Sequence, residues 1–203
     1  KTLAEKLAQP LQLDGCYIGV PLAELGRCVE IIGAARYKAE KSKPSKIAIW
    51  QQQLTEKALR LTGFEPNTAA EALIPKGMSR FYLDEAESLQ ACIPGAGGVF
   101  TARSLAKIYA ALANHGEIDG VRLLSEKTVG ELVKVHNRNR GDVVPMAMHW
   151  RLGYHRVFTT WPKTPYAFGH FGYGGSGAWA DPSRHLAVGF IVNTGSGSPF
   201  ADL

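Results

Sequence analysis

Cysteine is scarce in this chain: Cys16, Cys28 and Cys92 stand far apart among 203 residues. An odd count at such intervals supplies neither a disulfide framework nor a zinc-ligand spacing. No H-E-x-x-H or comparable histidine pattern occurs, so neither a metal nor a cofactor is expected. No apolar run approaches the ~18 residues of a membrane span. An excess of charge is also lacking. The net charge is +5, with lysine and arginine mostly dispersed. The one basic cluster, "RYKAEKSKPSK" from Arg36 to Lys46, reads as solvated surface, so nucleic acid is not an expected partner. The chain opens at Lys1 and shows no signal-peptide core near its start. The expectation is that a segment was removed or precedes it, and nothing assigns a compartment.

What is present suffices for one domain with a core, since 45% of the residues are hydrophobic. Leu3 and Leu7 share a face of a short helix that Pro10 stops, and Asp14-Gly15 turns the chain. A second helix is expected from Ser45, with Trp50, Leu54, Ala58 and Leu61 on one face and Gly63 as terminator. "IPGAGGVF" leads into a third helix capped by Thr101, with Leu105, Ile108, Tyr109 and Leu112 as its stripe. Asp119-Gly120 turns a small hairpin, and Ser125 caps a fourth helix carrying Val129, Leu132 and Val133. Residues 1–145 therefore read as mostly helix and loop.

Residues 146–203 read as antiparallel strands: "YAFGHFGY", "SGAWAD" and "LAVGFIVNT", with Asp181-Pro182-Ser183-Arg184 turning between the last two. The third strand is almost wholly apolar and is expected to be buried on both faces. Helices followed by consecutive strands predict an α+β fold, an antiparallel sheet flanked by helices in a single domain.

The stretch "FGHFGYGGSG", residues 168–177, is half glycine. Gly172, Gly174 and Gly177 match G-x-G-x-x-G. A dinucleotide site needs a helix directly after these glycines, and here a strand, a turn and a strand follow. A kinase-type loop needs a downstream lysine, catalytic loop and metal-binding aspartate, which the remaining residues cannot supply. Two readings stay open. The glycines pack a sheet-edge strand closely, or they clear side chains so that a ligand lies along the backbone. In acyl transfer such a bare strand presents N–H donors to a carbonyl oxygen as it gains charge.

With its neighbours, this stretch resembles the C-terminal sheet of the serine β-lactamase and penicillin-binding-protein superfamily, in the branch of class C-like β-lactamases and family VIII carboxylesterases. The matching features are His170-Phe171-Gly172, Gly174-Gly175-Ser176, Asp181-Pro182 and the apolar strand from Leu186 to Asn193. "IPGAGGVFTARSLAKIYAALANHGEIDGVRLLSEKTV" is similar to the family's glycine loop, helix and turn, and "KTLAEKLAQPLQLDGCYIG" to its helix and P-L-x-L turn. The resemblance implies a β-lactamase/transpeptidase-like fold and a serine hydrolase acting on an ester or amide. A serine and lysine from S-x-x-K and a tyrosine from Y-x-N or Y-x-S would do the covalent chemistry. It further implies that His170 replaces the lysine of K-T-G, that the Tyr173 N–H is an oxyanion donor, that Phe171, Gly172 and Gly174 line the substrate, and that Gly97 and Gly98 border it. H-x-G in place of K-T-G favours an esterase.

No Y-x-N or Y-x-S occurs in the sequence. The one S-x-x-K, Ser104 to Lys107, lies in the helix block that follows the family's nucleophile, and it reads as a solvent-facing pair. The resemblance thus implies an incomplete fragment, truncated at both ends, whose nucleophile, lysine and tyrosine precede Lys1. The rival from another class is a non-catalytic binding or structural protein on the same fold. Of the other histidines, His115 and His136 read as helix-end residues, and His149, His155 and His185 as surface or turn residues.

Overall fold

The computed structural model describes residues 2–32, 46–61, 63, 65, 71–72, 84–141, 143–144, 146–159, 163–172 and 175–193. It has helices and antiparallel sheets, the α+β class expected. A π-helical turn, Ala4–Ala8, precedes Pro10, and Leu11 behind it is 1% exposed. Strand β1 (Cys16–Ile18) pairs antiparallel with β2 (Gly98–Phe100), Cys16 facing Phe100. A 3₁₀ helix spans Leu22–Arg27, helix α1 Lys46–Leu61 and helix α2 Ala86–Gln90.

Helix α3 (Ala102–Ala113) begins where the sequence predicts, because the Thr101 side chain accepts the Ser104 N–H at 3.1 Å. It ends at Asn114, and His115 and Gly116 follow at positive φ. Strands β3 (Glu117–Ile118) and β4 (Val121–Arg122) form the hairpin, with Asp119 at φ 52° and Gly120 at φ 76°. Two positive-φ residues in a two-residue loop match the right-handed twist of the flanking strands. Helix α4 (Glu126–Val133) is capped by Ser125, whose side chain accepts the Thr128 N–H at 3.1 Å.

The main sheet runs β5 (His155–Arg156), β6 (Phe168–Phe171), β7 (Gly177–Asp181), β8 (Leu186–Phe190), all antiparallel and in that spatial order. Register sets its faces. Phe168 faces Ala180 and Ala180 faces Ala187, while His170 faces Ala178 and Ala178 faces Gly189. These residues share one face of the sheet, which α3 covers at Phe168, β7 and β8 and leaves exposed at His170. The core there is Tyr109, Leu112, Ala113, Leu132, Phe168, Ala178 and Ala180. Small residues let the helix backbone lie close to the strands. A Cβ at Gly189 would come within 2.6 Å of the Ala102 carbonyl oxygen and 2.7 Å of the Ala106 nitrogen.

The opposite face carries Trp179, Val188, Leu186 and Phe190. Here the structure corrects the expectation that β8 is buried on both sides: Leu186 is 43% and Phe190 45% exposed. The strand is apolar throughout, but among the described residues it is the last of its sheet and α3 covers only one face. The apolar face of α1 is likewise open, with Trp50 at 62% and Leu61 at 84% exposure.

Candidate active site

Strand β6 carries the histidine-glycine signature, and three neighbours fix it. Arg151, 7% exposed, enters from before β5. Its guanidinium donates to the carbonyls of Val133 at the end of α4 (3.0 Å), His149 (3.3 Å) and Pro165 (3.0 Å). It thereby ties the approach to β6 to a helix terminus. Burial pulls its pKa down, yet it remains a cation held by carbonyl dipoles. At the far end of the strand the Gly172 N–H donates to the Ser176 carbonyl at 2.7 Å, and the Gly175 N–H to the Gly172 carbonyl at 3.3 Å. Gly175 sits at φ 93°, where a side chain would be strained. Ser176 closes the turn: its hydroxyl accepts the Val192 N–H at 3.0 Å and donates to the Val192 carbonyl at 3.3 Å.

The third neighbour is His155. The sequence places it at the surface, but it is 2% exposed. Its Nδ1 lies 2.8 Å from the Arg156 carbonyl oxygen, and its Nε2 accepts the Phe171 N–H at 3.3 Å. Rings of Trp150, Phe158, His170 and Phe171 stand around it, with centroids 5.1–6.0 Å away. Burial, with smaller contributions from His170 and Arg151, draws its pKa below the ordinary 6.5, against the Arg156 hydrogen bond. Partial burial lowers His170 in the same way, though its side chain keeps an exposed flank. Sequence periodicity gave no sign of His155, because a two-residue strand has no period to read.

The glycines of this ribbon divide by role. A Cβ at Gly169 would run into the Ala178 carbonyl and lie 2.6 Å from the Trp179 Cβ. One at Gly177 would meet the His170 carbonyl and lie 2.7 Å from Phe171 Cδ1. Both are needed for strand packing. A Cβ at Gly172 meets only the Ser176 carbonyl oxygen, at an ordinary 3.5 Å, and Gly172 is not among the positive-φ glycines. Neither packing nor backbone strain within the described residues calls for its missing side chain.

His170 and Phe171 thus lie on one fixed strand, and Gly172 follows directly in the turn that closes it. Tyr173 and Gly174 lie outside the described residues. Gly97 and Gly98 belong to the separate β1–β2 region, and no hydrogen bond joins them to β6 among the described residues. Gly97 is buried in a tight turn where its N–H donates to the Ile93 carbonyl at 2.7 Å, and Gly98 faces Ile18 across the ladder. The two cavities described line neither region's glycines. One is bounded by Leu25, Cys28, Val29 and Leu89, the other by Leu7, Ile108, Leu112 and Tyr154.

The S-x-x-K serine is neither a nucleophile poised at a lysine nor a solvent-facing residue. Ser104 is 1% exposed. Its hydroxyl donates to Asp14 Oδ1 at 2.8 Å and accepts the Gly15 N–H at 3.2 Å, while Thr101 donates to the same Asp14 oxygen at 2.6 Å. These hydroxyls hold the Asp14 carboxyl below its ordinary pKa. Lys107 instead pairs with Asp119 at 2.8 Å. Ser104 and Thr101 with Asp14 and Gly15 staple the start of α3 to the turn before β1. Among the described residues no helix is long and apolar enough to cross a membrane, and no three His, Cys, Asp or Glu side chains gather as a metal site.

An α+β fold with this strand and turn defines a class, and the beta-lactamase family pattern matches residues 1–203. The chain belongs to the beta-lactamase family. Among particular relatives, it is 36% identical over 197 residues to the esterase/beta-lactamase LipL of Mycobacterium tuberculosis (strain ATCC 25618 / H37Rv), covering 93% of this chain and 41% of that protein. A penicillin-binding protein homolog from Caulobacter crescentus superposes with a TM-score of 0.71 at 28% identity, over 97% of this chain and 47% of the other. A family VIII carboxylesterase gives 0.70 at 28% identity, over 98% and 47%. The chain therefore spans about half the length of the relatives it matches.

Proposed function

We propose that these residues carry the substrate-side strand of a serine hydrolase that opens an ester or amide carbonyl through an acyl-enzyme, with an ester preferred over a β-lactam. A serine hydroxyl gives its proton to the lysine–tyrosine pair as its oxygen adds to the carbonyl carbon, the carbonyl oxygen becomes an oxyanion, the alcohol or amine leaves carrying that proton, and water then hydrolyses the acyl-serine to the acid and free serine. In this reading the serine, its lysine and the tyrosine come from outside the 203 residues.

The observation that carries the reading is Gly172, the glycine directly after the signature strand of a beta-lactamase-family chain, for which the described residues supply no structural reason. Clearance for a ligand supplies that reason. The Phe171 N–H points away from β7 and the Gly172 N–H towards it, so the amides at this end of the strand serve both of its edges. In this proposal the Tyr173 N–H is the donor to the developing oxyanion, a donor whose loss costs on the order of 10²–10³ in rate. His170 and Phe171 would flank the acyl group, with Gly174 beside them, and Gly97 and Gly98 would border the site from the β1–β2 region. A relative named as a family VIII carboxylesterase supports the ester preference, as does H-x-G in place of K-T-G.

A fluorophosphonate probe tests this. The full-length protein should label, the 203-residue chain alone should not, and p-nitrophenyl butyrate should be cleaved faster than nitrocefin. Labelling of Ser104 in the isolated chain would overturn the placement of the nucleophile. A full-length protein that neither labels nor hydrolyses either substrate would be a binding protein on a hydrolase fold.

A further inference from the structure

Strand β5 starts only at His155, opposite Gly169. Its two residues pair with Phe168 and Gly169 only, which leaves the next amide on that edge of β6, Phe171 N–H, without a strand partner. A half-buried peptide N–H left unbonded is costly. The His155 side chain takes the place of the missing strand through the 3.3 Å contact at Nε2.

Both partners of this imidazole are backbone groups whose roles cannot change. Phe171 N–H can only donate, so Nε2 must carry a lone pair. The Arg156 carbonyl can only accept, so Nδ1 must carry the proton. One tautomer and one charge state satisfy both. An imidazolium would set Nε2–H against Phe171 N–H.

We propose that His155 is a positioning residue: as the neutral Nδ1–H tautomer, its Nε2 holds the His170–Phe171 peptide and so fixes the end of β6, up to Gly172, toward the substrate carbonyl. The proposal rests on the hydrolase reading for its catalytic consequence, but its geometric part stands alone. Acid would disrupt the device by protonating Nε2. The groups facing it are His170 and Phe171 on β6, Arg156 on its own strand, and Arg151, Trp150 and Phe158 from the flanking segments. Among the described residues none of the groups around it is a carboxylate.

The test uses the full-length protein and two variants. His155→Phe keeps a ring among the aromatics and removes the acceptor, whereas His155→Gln places an amide oxygen near the former Nε2. Losing one hydrogen bond of ordinary strength should speed hydrogen exchange at the Phe171 amide roughly 5- to 10-fold. In His155→Phe, kcat for p-nitrophenyl butyrate should fall by a comparable factor with KM little changed, and His155→Gln should recover most of the loss. A His155→Phe protein with kcat within about twofold of the parent overturns the proposal, as does a loss that merely tracks Tm and is not recovered by glutamine. Should His155→Phe not fold, the imidazole nitrogen shifts of the parent decide. Nδ1–H with an unprotonated Nε2 above neutral pH supports the proposal, and the other tautomer overturns it. If the parent hydrolyses neither substrate, the hydrolase reading fails, while exchange at Phe171 and the tautomer still decide the positioning role.

Discussion

Gly169 and Gly172 lie three residues apart on one ribbon, yet they are glycine for opposite reasons. At Gly169 a methyl group would strike the β7 backbone, and at Gly177 and Gly189 it would strike β6 and α3. At Gly172 it would meet only an ordinary contact among the described residues. The first group makes a tight sheet under a close helix. The second has room for a methyl group beside its described neighbours, at the end of a strand that is held on three sides. A run of glycines is thus not one feature, and neighbouring atoms separate packing from access.

The same substitution should give opposite results at the two ends. Gly169→Ala forces a side chain into backbone and should destabilise by about 3 kcal/mol, the upper end of overpacking costs. A midpoint shift in urea measures this, and an unchanged midpoint would break the contrast. Ser104→Ala strands the Gly15 N–H and removes a donor from Asp14. It should cost about 1–3 kcal/mol while leaving fluorophosphonate labelling of the full-length protein intact, which sharpens the separation between the α3 staple and the β6 site. Thr101→Ala removes the α3 cap and its link to Asp14 and should cost about 1–2 kcal/mol by the same measurement.

Acid should act on the open end. His155 and His170 are both held below the ordinary 6.5 in the folded chain. Between their folded values and 6.5 the unfolded chain binds more protons, so their stabilising contribution is complete above about pH 6.5 and is lost as pH falls through the folded values. Tm should decline on that acid side, and His155→Phe should decline less steeply. Parallel curves would remove His155 from the account.

Much of the fold was legible where the signal is local. Thr101, Ser125 and Asp119-Gly120 act within a turn of their own positions, and each does what its residue type implies. Pairing was less legible. β1 and β2 are three residues each, and Cys16 meets Phe100 across most of the helical region, so neither strand has a pattern of its own. The apolar run in β8 gave the strand but not its exposure, because burial is set by what packs on each face. Composition pointed to the ribbon around His170. Which glycine serves packing depends on register with β7, and the part played by His155 depends on where β5 starts; neither is written in the ribbon itself.

The most direct measurement is Gly172→Ala in the full-length protein, scored for Tm and for kcat/KM on p-nitrophenyl butyrate. Tm should stay within about 2 °C, since a stability change of at most about 0.5 kcal/mol is expected at an uncrowded site, and kcat/KM should fall at least about tenfold, equivalent to about 1.4 kcal/mol of transition-state binding. Unchanged hydrolysis, or a fall in activity matched by a large fall in Tm, would contradict the claim that the end of β6 is open for a substrate.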